Sequence, residues 1–252
     1  MLRALTSGLI VFFLLAGCAQ LPGGKVDTDR LRNAIAIDDV GYLQEAVKTG
    51  QVGVNQRIPI PGYLEGTPLI TVAARYGAVR SLRYLITAGA NINGRTPVGE
   101  TALMLSSYFS SDESQRGTGS GERYEQAIRM LVEAGASLEN EPHHYTPLAY
   151  AAYQGNNRIV SYLIERGARV NADAEDGVVY VNTPLMMAAI QGHIDTALRL
   201  LRAGADARVR VHLGHTAVEF AQKNNHGSLI PTLRCAERLG PGEVFAGKCI
   251  GR

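Results

Sequence analysis

Six histidines, three cysteines and one Ser/Gly-rich stretch hold the side chains with which this 252-residue chain would do chemistry. The histidines are His143, His144, His193, His212, His215 and His226. His212 and His215 have the types for a pair of metal ligands, but a protein zinc site takes three or four ligands and spacing places no others. The run Ser110-Ser111-Asp112-Glu113-Ser114-Gln115-Arg116-Gly117-Thr118-Gly119-Ser120-Gly121 has the glycines of a phosphate cradle. No Lys-Ser/Thr follows them and no strand-loop-helix pattern frames them. A Ser nucleophile elbow, a paired-carboxylate motif and a zincin helix are likewise missing. No catalytic residue, metal site or cofactor is assigned, so the chemistry to explain is binding. An enzyme or metal carrier acting through His212 and His215 is the rival from another class.

Charge narrows the partner. The formal net charge is +2 with 19% charged residues, and no block of like charge marks a nucleic-acid arm. Nucleic acid is not expected, and neither is a small-molecule substrate. With 46% hydrophobic residues and no second long apolar run, the body after the N-terminal segment reads as one elongated soluble domain.

The first residues read as a targeting segment. Arg3 supplies a positive start, an apolar run follows from Leu9 to Leu15, and Leu15-Ala16-Gly17-Cys18 closes it. The run is shorter than the roughly 20 residues a spanning helix needs. These four residues resemble the lipobox of bacterial lipoproteins, in which the signal is cut before the Cys and the Cys is acylated. The resemblance implies a signal peptide over residues 1–17 and a lipid anchor on Cys18. Ala19 and Gln20 follow in place of the Asp that retains many such lipoproteins in the inner membrane, so the implied address is the outer membrane, facing the periplasm. An ordinary secretory signal cut near Ala16-Gly17 is the alternative. Residues 18–27, with Pro22-Gly23-Gly24, form a tether. In that oxidising compartment Cys235 and Cys249 read first as a disulfide pinning the tail, residues 236–252, against the body. Two lone Cys as metal ligands is the other reading.

What positions any binding residue is a repeat. Thr67-Pro68-Leu69, Thr101-Ala102-Leu103, Thr146-Pro147-Leu148, Thr183-Pro184-Leu185 and Thr216-Ala217-Val218 start successive units. Gly89-Ala90, Gly135-Ala136, Gly167-Ala168 and Gly204-Ala205 mark their second helices' ends. Self-similarity with a period near 33 residues signals a solenoid whose units lean on one another. In the clearest unit Thr146 caps a helix, Pro147 sits at its first position, and Leu148–Gln154 runs to Gly155. A second helix, Arg158 to Arg166, carries Ile159, Val160, Tyr162, Leu163 and Ile164, and Gly167 stops it. The chain then turns outward through Arg169-Val170-Asn171 in a stretch suited to a hairpin.

Helix, tight turn, helix, hairpin with these marks in this order resembles the ankyrin repeat over residues 28–235. The fold expected is an all-α solenoid of about six ankyrin repeats with degenerate ends, residues 28–50 at one and residues 216–233, ending in Ile230-Pro231, at the other. Two units are longer than the rest. The third gains the Ser/Gly-rich stretch between its helices, expected as a mobile loop. The hairpin before Thr183 gains a longer finger through Asp176-Gly177-Val178-Val179. The second unit carries one extra residue between Thr67 and Gly77, and its register is open by one. The apolar first hairpin, Arg57 to Leu64, is either a contact patch or a lid over the first unit.

The resemblance implies a protein-binding surface made of hairpin tips and first-helix ends. The tips are Tyr63 and Leu64; Arg95; His143, His144 and Tyr145; Tyr180; and Arg208, Arg210 and His212. The helix ends are Arg75 and Tyr76; Tyr108 and Phe109; Tyr153 and Gln154; Ile190 and Gln191. Tyr76, Tyr108 and Tyr153 form a line of the residue type enriched at interface hot spots, against the plain alternative of half-buried surface tyrosines. His193, after Gly192, falls at a family position with a structural hydrogen-bonding role. The function expected is a tethered, non-catalytic module that binds a periplasmic protein. The bound protein is either an envelope-targeting effector such as a lipase, which the module neutralises, or a resident enzyme, which it scaffolds or protects. A purely structural tie between envelope layers completes the field.

Overall fold

The computed structural model describes residues 26–110, 120–139, 145–171, 178–179, 181–211, 213–240 and 249. Its helices pair into six units: α1 (Thr28–Ala36) with α2 (Val40–Lys48), α3 (Leu69–Arg75) with α4 (Val79–Thr87), and α5 (Ala102–Phe109) with α6 (Ser120–Glu133). The second half repeats the plan with α7 (Pro147–Gln154) and α8 (Asn157–Glu165), α9 (Pro184–Gln191) and α10 (Ile194–Arg202), α11 (Ala217–Lys223) and α12 (Ile230–Leu239). First helices pack on first helices and second helices on their neighbours, giving two layers with one continuous core between them.

Local chemistry sets each helix start. Thr146 Oγ1 accepts from Ala149 N–H at 3.1 Å, and Pro147 occupies the first turn, where its missing N–H costs nothing. Thr101 and Thr183 cap in the same way, and their own N–H groups point at Met104 and Met186 sulfurs at 3.4 Å. In the last unit Glu219 takes the sulfur's place and accepts from Thr216 N–H at 2.7 Å. The first unit lacks Thr-Pro-Leu, and Asp27 and Asp39 cap its two helices instead.

Helices α3, α5, α7 and α9 bury most of their residues. Ala73-Ala74, Ala151-Ala152 and Ala188-Ala189 are fully enclosed, and their small side chains let neighbouring helices approach closely. Ser106-Ser107 hold the equivalent place on α5; Ser107 Oγ turns back to Leu103 O at 2.9 Å, while Ser106 Oγ is buried without a partner. Leu69, Leu103, Leu148 and Leu185 follow each start and sit in the core, each worth about 2 kcal/mol of burial.

Two ladders of hydrogen bonds tie unit to unit. At the fingers, Asn55, Asn93, Glu139 and Asn171 each accept, through a side-chain oxygen, the backbone N–H that follows the next unit's second helix, on Asn91, Ser137, Arg169 and Asp206, at 2.7–2.8 Å. At the other end, a side chain at the start of each second helix reaches back to the preceding unit's inter-helix turn. His193 Nε2 meets Tyr153 O at 3.1 Å, His226 Nε2 meets Ile190 O at 3.0 Å, and Tyr124 Oη donates to Arg75 O at 2.9 Å. Asn156 Nδ2 donates to Ser110 O. The second unit has Ala78 at this place, and the bond reverses: Asp38 accepts from Arg80 N–H and Ser81 N–H at 2.9 and 2.8 Å.

Several expectations change. Helix α8 covers Asn157–Glu165, because Asn156 accepts from Ile159 N–H and so caps it one residue early. Ile230-Pro231 opens α12 rather than ending the last unit, since Pro is tolerated in a first turn, and the helix runs through residue 235 to Leu239. In the second unit the extra residue moves the helix boundary to Pro68, and Thr67 Oγ1 is buried with no partner instead of capping. Ser120 and Gly121, counted in the Ser/Gly-rich loop, begin α6, which at 14 residues is longer than the other second helices; the rest of that loop, 111–119, lies outside the described residues.

Strand pairing also differs from finger to finger. The first finger is a true antiparallel hairpin of β1 (Arg57–Ile60) and β2 (Tyr63–Pro68). Ile58 and Ile60 are 0% and 4% exposed within the core, so this finger is a lid on the first unit. The second finger shows a single bridge, Arg95 to Thr101. Val178–Val179 (β3) pairs in parallel with Arg210–Val211 (β4) of the following finger, so the long finger is stitched to its neighbour.

Candidate interaction face

The last residues of each first helix carry the side chains of the expected face. Their backbone is pinned from behind: the carbonyls of Arg75, Tyr153 and Ile190 are the acceptors of the ladder from the following units. Side chains on these turns are thus presented on a fixed frame, which lowers the ordering cost of contact.

Five rings gather at the centre. Tyr108 meets Phe109 edge-on at 5.1 Å and Tyr150 edge-on at 5.4 Å, and lies near-parallel to Tyr153 at 6.3 Å. Tyr145 tilts against Tyr150 at 5.6 Å. Such offset and T-shaped pairs are the geometries the ring quadrupole favours. Phe109 stacks at 6.1 Å on Tyr124, and the Arg75 guanidinium sits 5.2 Å above the Phe109 ring. Burial pushes the Tyr124 phenol up, with Arg123 and Arg75 pulling part of the way back, so it stays a neutral donor to Arg75 O.

The expected line of tyrosines is therefore altered. Tyr108 and Tyr153 come together; Tyr76 is half-buried and packs on the core instead. Tyr145, expected at a finger tip, belongs to the ring cluster through Tyr150. Tyr150 and Tyr124 were not among the expected residues. Tyr150 lies three residues before Tyr153, one helical turn away on the same face, and that spacing was a readable signal. Ile190 is half-buried against the core, and Gln154 and Gln191 are partly exposed.

At the fingers, Arg208 forks onto Asp206, with Nε to Oδ1 at 3.0 Å and Nη2 to Oδ2 at 3.1 Å. It also lies against Gly240, where a Cβ would stand 2.9 Å from its Nη1. Arg208 thus closes its own finger and passes beside the end of α12. Burial pushes the Asp206 carboxyl up, but the Arg208 hydrogen bonds and charge outweigh it and hold it below the usual carboxylate range. Arg95 Nη1 donates to Gly99 O at 3.4 Å and Arg210 Nη1 to Gly214 O at 2.9 Å, each closing its own finger. Val98 and Leu213, 56% and 71% exposed, are apolar finger residues that the expected set lacked. His143, His144, Tyr180 and His212 lie outside the described residues, as do Cys18 and the whole of residues 1–25, and nothing is described of the Tyr63 and Leu64 side chains.

His215, the other half of the expected metal pair, accepts from Lys223 Nζ at 2.8 Å and meets Phe220 edge-on. Among the described residues no three His, Cys, Asp or Glu side chains are placed to share a metal ion, and no helix is long and apolar enough to cross a membrane. Cys235 and Cys249 are joined, with Cα atoms 5.7 Å apart.

Charge is unevenly spread over the helices. On α6 Arg129 pairs with Glu125 at 2.8 Å, beside a cleft of about 360 Å³ between α6 and α8. Helices α3, α5, α7 and α9 carry no carboxylate at all, and their one formal charge is Arg75.

Family models match in three stretches: one described as Ankyrin repeats (3 copies) over residues 120–174, and one described as Ankyrin repeat over 66–97 and 182–210. The unmatched parts are residues 1–65 and 211–252 at the two ends, residues 98–119 with α5, and residues 175–181. Among relatives, the chain is 36% identical over 102 residues to Dauer abnormal formation protein 25 of Caenorhabditis elegans, covering 40% of this chain and 26% of that one. It is 34% identical over 158 residues to human Ankyrin repeat and SOCS box protein 16, covering 60% and 32%. It is 34% identical over 111 residues to human Cyclin-dependent kinase inhibitor 2A, covering 43% of this chain and 68% of that one. The chain spans about a quarter to a third of the first two relatives' length.

Proposed function

Because the chain belongs to the ankyrin-repeat family, we propose that it is a non-catalytic protein-binding module, tethered through an acylated Cys18 to the periplasmic face of the outer membrane. The observation that carries the binding reading is the ring cluster of Tyr108, Phe109, Tyr150, Tyr153 and Tyr145, held on turns that the next unit's side chains fix. Aromatic anchors on a rigid frame are the make-up of a binding hot spot. The anchor rests on Leu15-Ala16-Gly17-Cys18 after the apolar run.

Within that reading the bound protein is an incoming envelope-targeting effector, such as a lipase, and binding neutralises it. A tether with a non-catalytic face suits this task, and the relative named as a kinase inhibitor lends the inhibitory mode an example within the family. A photo-crosslinking amino acid placed at Tyr108 or Tyr153 in living cells tests it. The expected product is one discrete adduct with an envelope protein, lost when the probe is moved to Arg83 on the outer layer. Replacing Cys18 by Ser should release the protein from the outer-membrane fraction. Cells lacking the chain should become sensitive to attack by kin carrying the effector; full resistance in the deletion strain removes the immunity version.

A further inference from the structure

We infer that the cleft between α6 and α8, in the layer of second helices, binds a short zwitterionic peptide of about three residues with free amino and carboxyl ends. Packing opens the space. Helix α4 packs on both α2 and α6, and α8 on α10, whereas α6 and α8 approach one another less closely. Six residues before their stop glycines, α4, α6 and α10 carry Arg83, Arg129 and Leu198, where α8 carries only the small Ser161. The cleft that results, about 360 Å³, is lined by Glu125, Arg129, Arg158, Ser161, Tyr162 and Glu165. That volume lies at the low end of the roughly 300–1,000 Å³ in which small molecules bind.

What the lining leaves unmatched defines the ligand. Tyr162 is 5% exposed, and its Oη is buried with no hydrogen-bond partner among the described residues. The Arg129 and Arg166 guanidinia lie over its ring at 4.5 and 4.8 Å and leave the hydroxyl unmet. A buried hydroxyl without a partner costs stability, which a ligand oxygen accepting from it relieves. Arg129 and Glu125 already pair, through Nε and Nη2 at 3.2 and 2.8 Å, and Arg199 of α10 donates to Ser161 Oγ at 3.2 Å. Arg158, with its side chain 83% exposed, comes no nearer than 4.0 Å to Glu125, and Glu165 has no ion-pair partner among the described residues. The two guanidinia and two carboxylates of the lining cancel, so the cleft favours neither a plain anion nor a plain cation. One charge of each sign is nevertheless left to meet. Arg158 and Glu165 stand seven residues apart on α8, two turns and about 10 Å along its axis. Three extended residues span about the same length. The peptide carboxylate therefore goes to Arg158, its ammonium to Glu165, and a carbonyl between them takes the Tyr162 hydroxyl.

Isothermal titration calorimetry of the full chain in neutral detergent tests this, with Ala-Ala-Ala, its N-acetylated form and its C-amidated form as the probes. The free peptide should bind at least about tenfold more tightly than either blocked form. Glu165→Gln should erase the difference between the free and acetylated peptides, and Arg158→Gln the difference between the free and amidated ones. Tyr162→Phe removes the hydroxyl alone; it should weaken the free peptide about threefold or more and melt no lower than the wild type, since one unmatched buried group is gone. Arg158 and Glu165 are exposed, and an unchanged circular dichroism melt verifies that their variants fold. Arg83→Gln, on α4 outside the cleft, should leave binding as it is. The inference is overturned by no binding of the free peptide up to about 10 mM, by equal binding of free and blocked forms, or by binding that Arg158→Gln and Glu165→Gln leave untouched. Acetate or methylammonium alone binding as tightly as the peptide would overturn it as well.

Discussion

His193 lies flat on Gly155, whose φ of +69° and missing Cβ make room for the ring; a Cβ there would stand 2.7 Å from it. Since Tyr153 O only accepts, Nε2 carries the proton, and the bond is made by the neutral and the charged imidazole alike. Burial pulls its pKa down first, the Tyr153 hydrogen bond pulls back, and nearby His226 lowers it again, leaving it below the ordinary 6.5. The unfolded chain therefore binds more protons than the folded one just below pH 6.5, so His193's stabilisation is complete above that value and is lost as pH falls below it. His193→Asn keeps a donor, as Asn156 does one unit earlier, and removes the titration. Between pH 7.5 and 5.5 the wild type's melting temperature should drop further than the variant's; parallel curves would reject the assignment. Asn171 has two duties, as Asn156 does, donating to Gly204 O at 3.0 Å and accepting from Asp206 N–H at 2.8 Å. Asn171→Ala should cost about 1–2 kcal/mol in a urea melt. These ladder bonds were only half legible from residue types. His193 after Gly192 could be read, whereas Asp38 reversing the bond for Ala78 depends on which side chain the neighbouring unit happens to offer.

Helices in this chain were legible where cap, proline and stop residue coincide, as at Thr146, Pro147 and Gly155, and were misplaced where one of the three shifts. Thr67 is the clearest case. One added residue before Gly77 moves the cap to Pro68, and no local rule says whether a Thr or the Pro after it will begin the helix. The Ser/Gly-rich run misled in the opposite way. Its composition reads as loop to its end, yet the core contacts of Ala127, Ile128 and Leu131 extend α6 back to Ser120, which brings Tyr124 over Gly77 and beneath Phe109. The added helical turn thus supports the ring cluster from below. Tyr124→Phe keeps the ring stack and deletes only the bond to Arg75 O, so its expected cost is about 1 kcal/mol, with the α3 end exchanging backbone amides faster. Gly155→Ala should be worse, because the positive φ costs about 1–2 kcal/mol before the His193 ring is displaced. Equal melting of Gly155→Ala and wild type would contradict the placement of that ring.

For the molecule as a whole, the stacked architecture was plain in the period of Thr-Pro-Leu and Gly-Ala, because a solenoid writes its fold into the sequence once per unit. The ends escaped that logic: α12 has no repeat mark, and its reach to Leu239 is set by what the last unit must cover. The Cys235–Cys249 bond closes that end; it spans 14 residues and leaves Cys249 half-buried against the core. Closing a loop of that length stabilises by roughly 3 kcal/mol on the chain-entropy account. In a solenoid each unit contacts only its neighbours, so the loss on reduction should stay local. Hydrogen exchange followed by mass spectrometry, with and without reductant and in Cys235→Ser, Cys249→Ser, should show α11 and α12 exchanging faster while α5 and α7 hold their protection. The ring cluster would then keep its binding in the reduced protein, and a uniform rise in exchange across every unit would show instead that the six units unfold as one cooperative block.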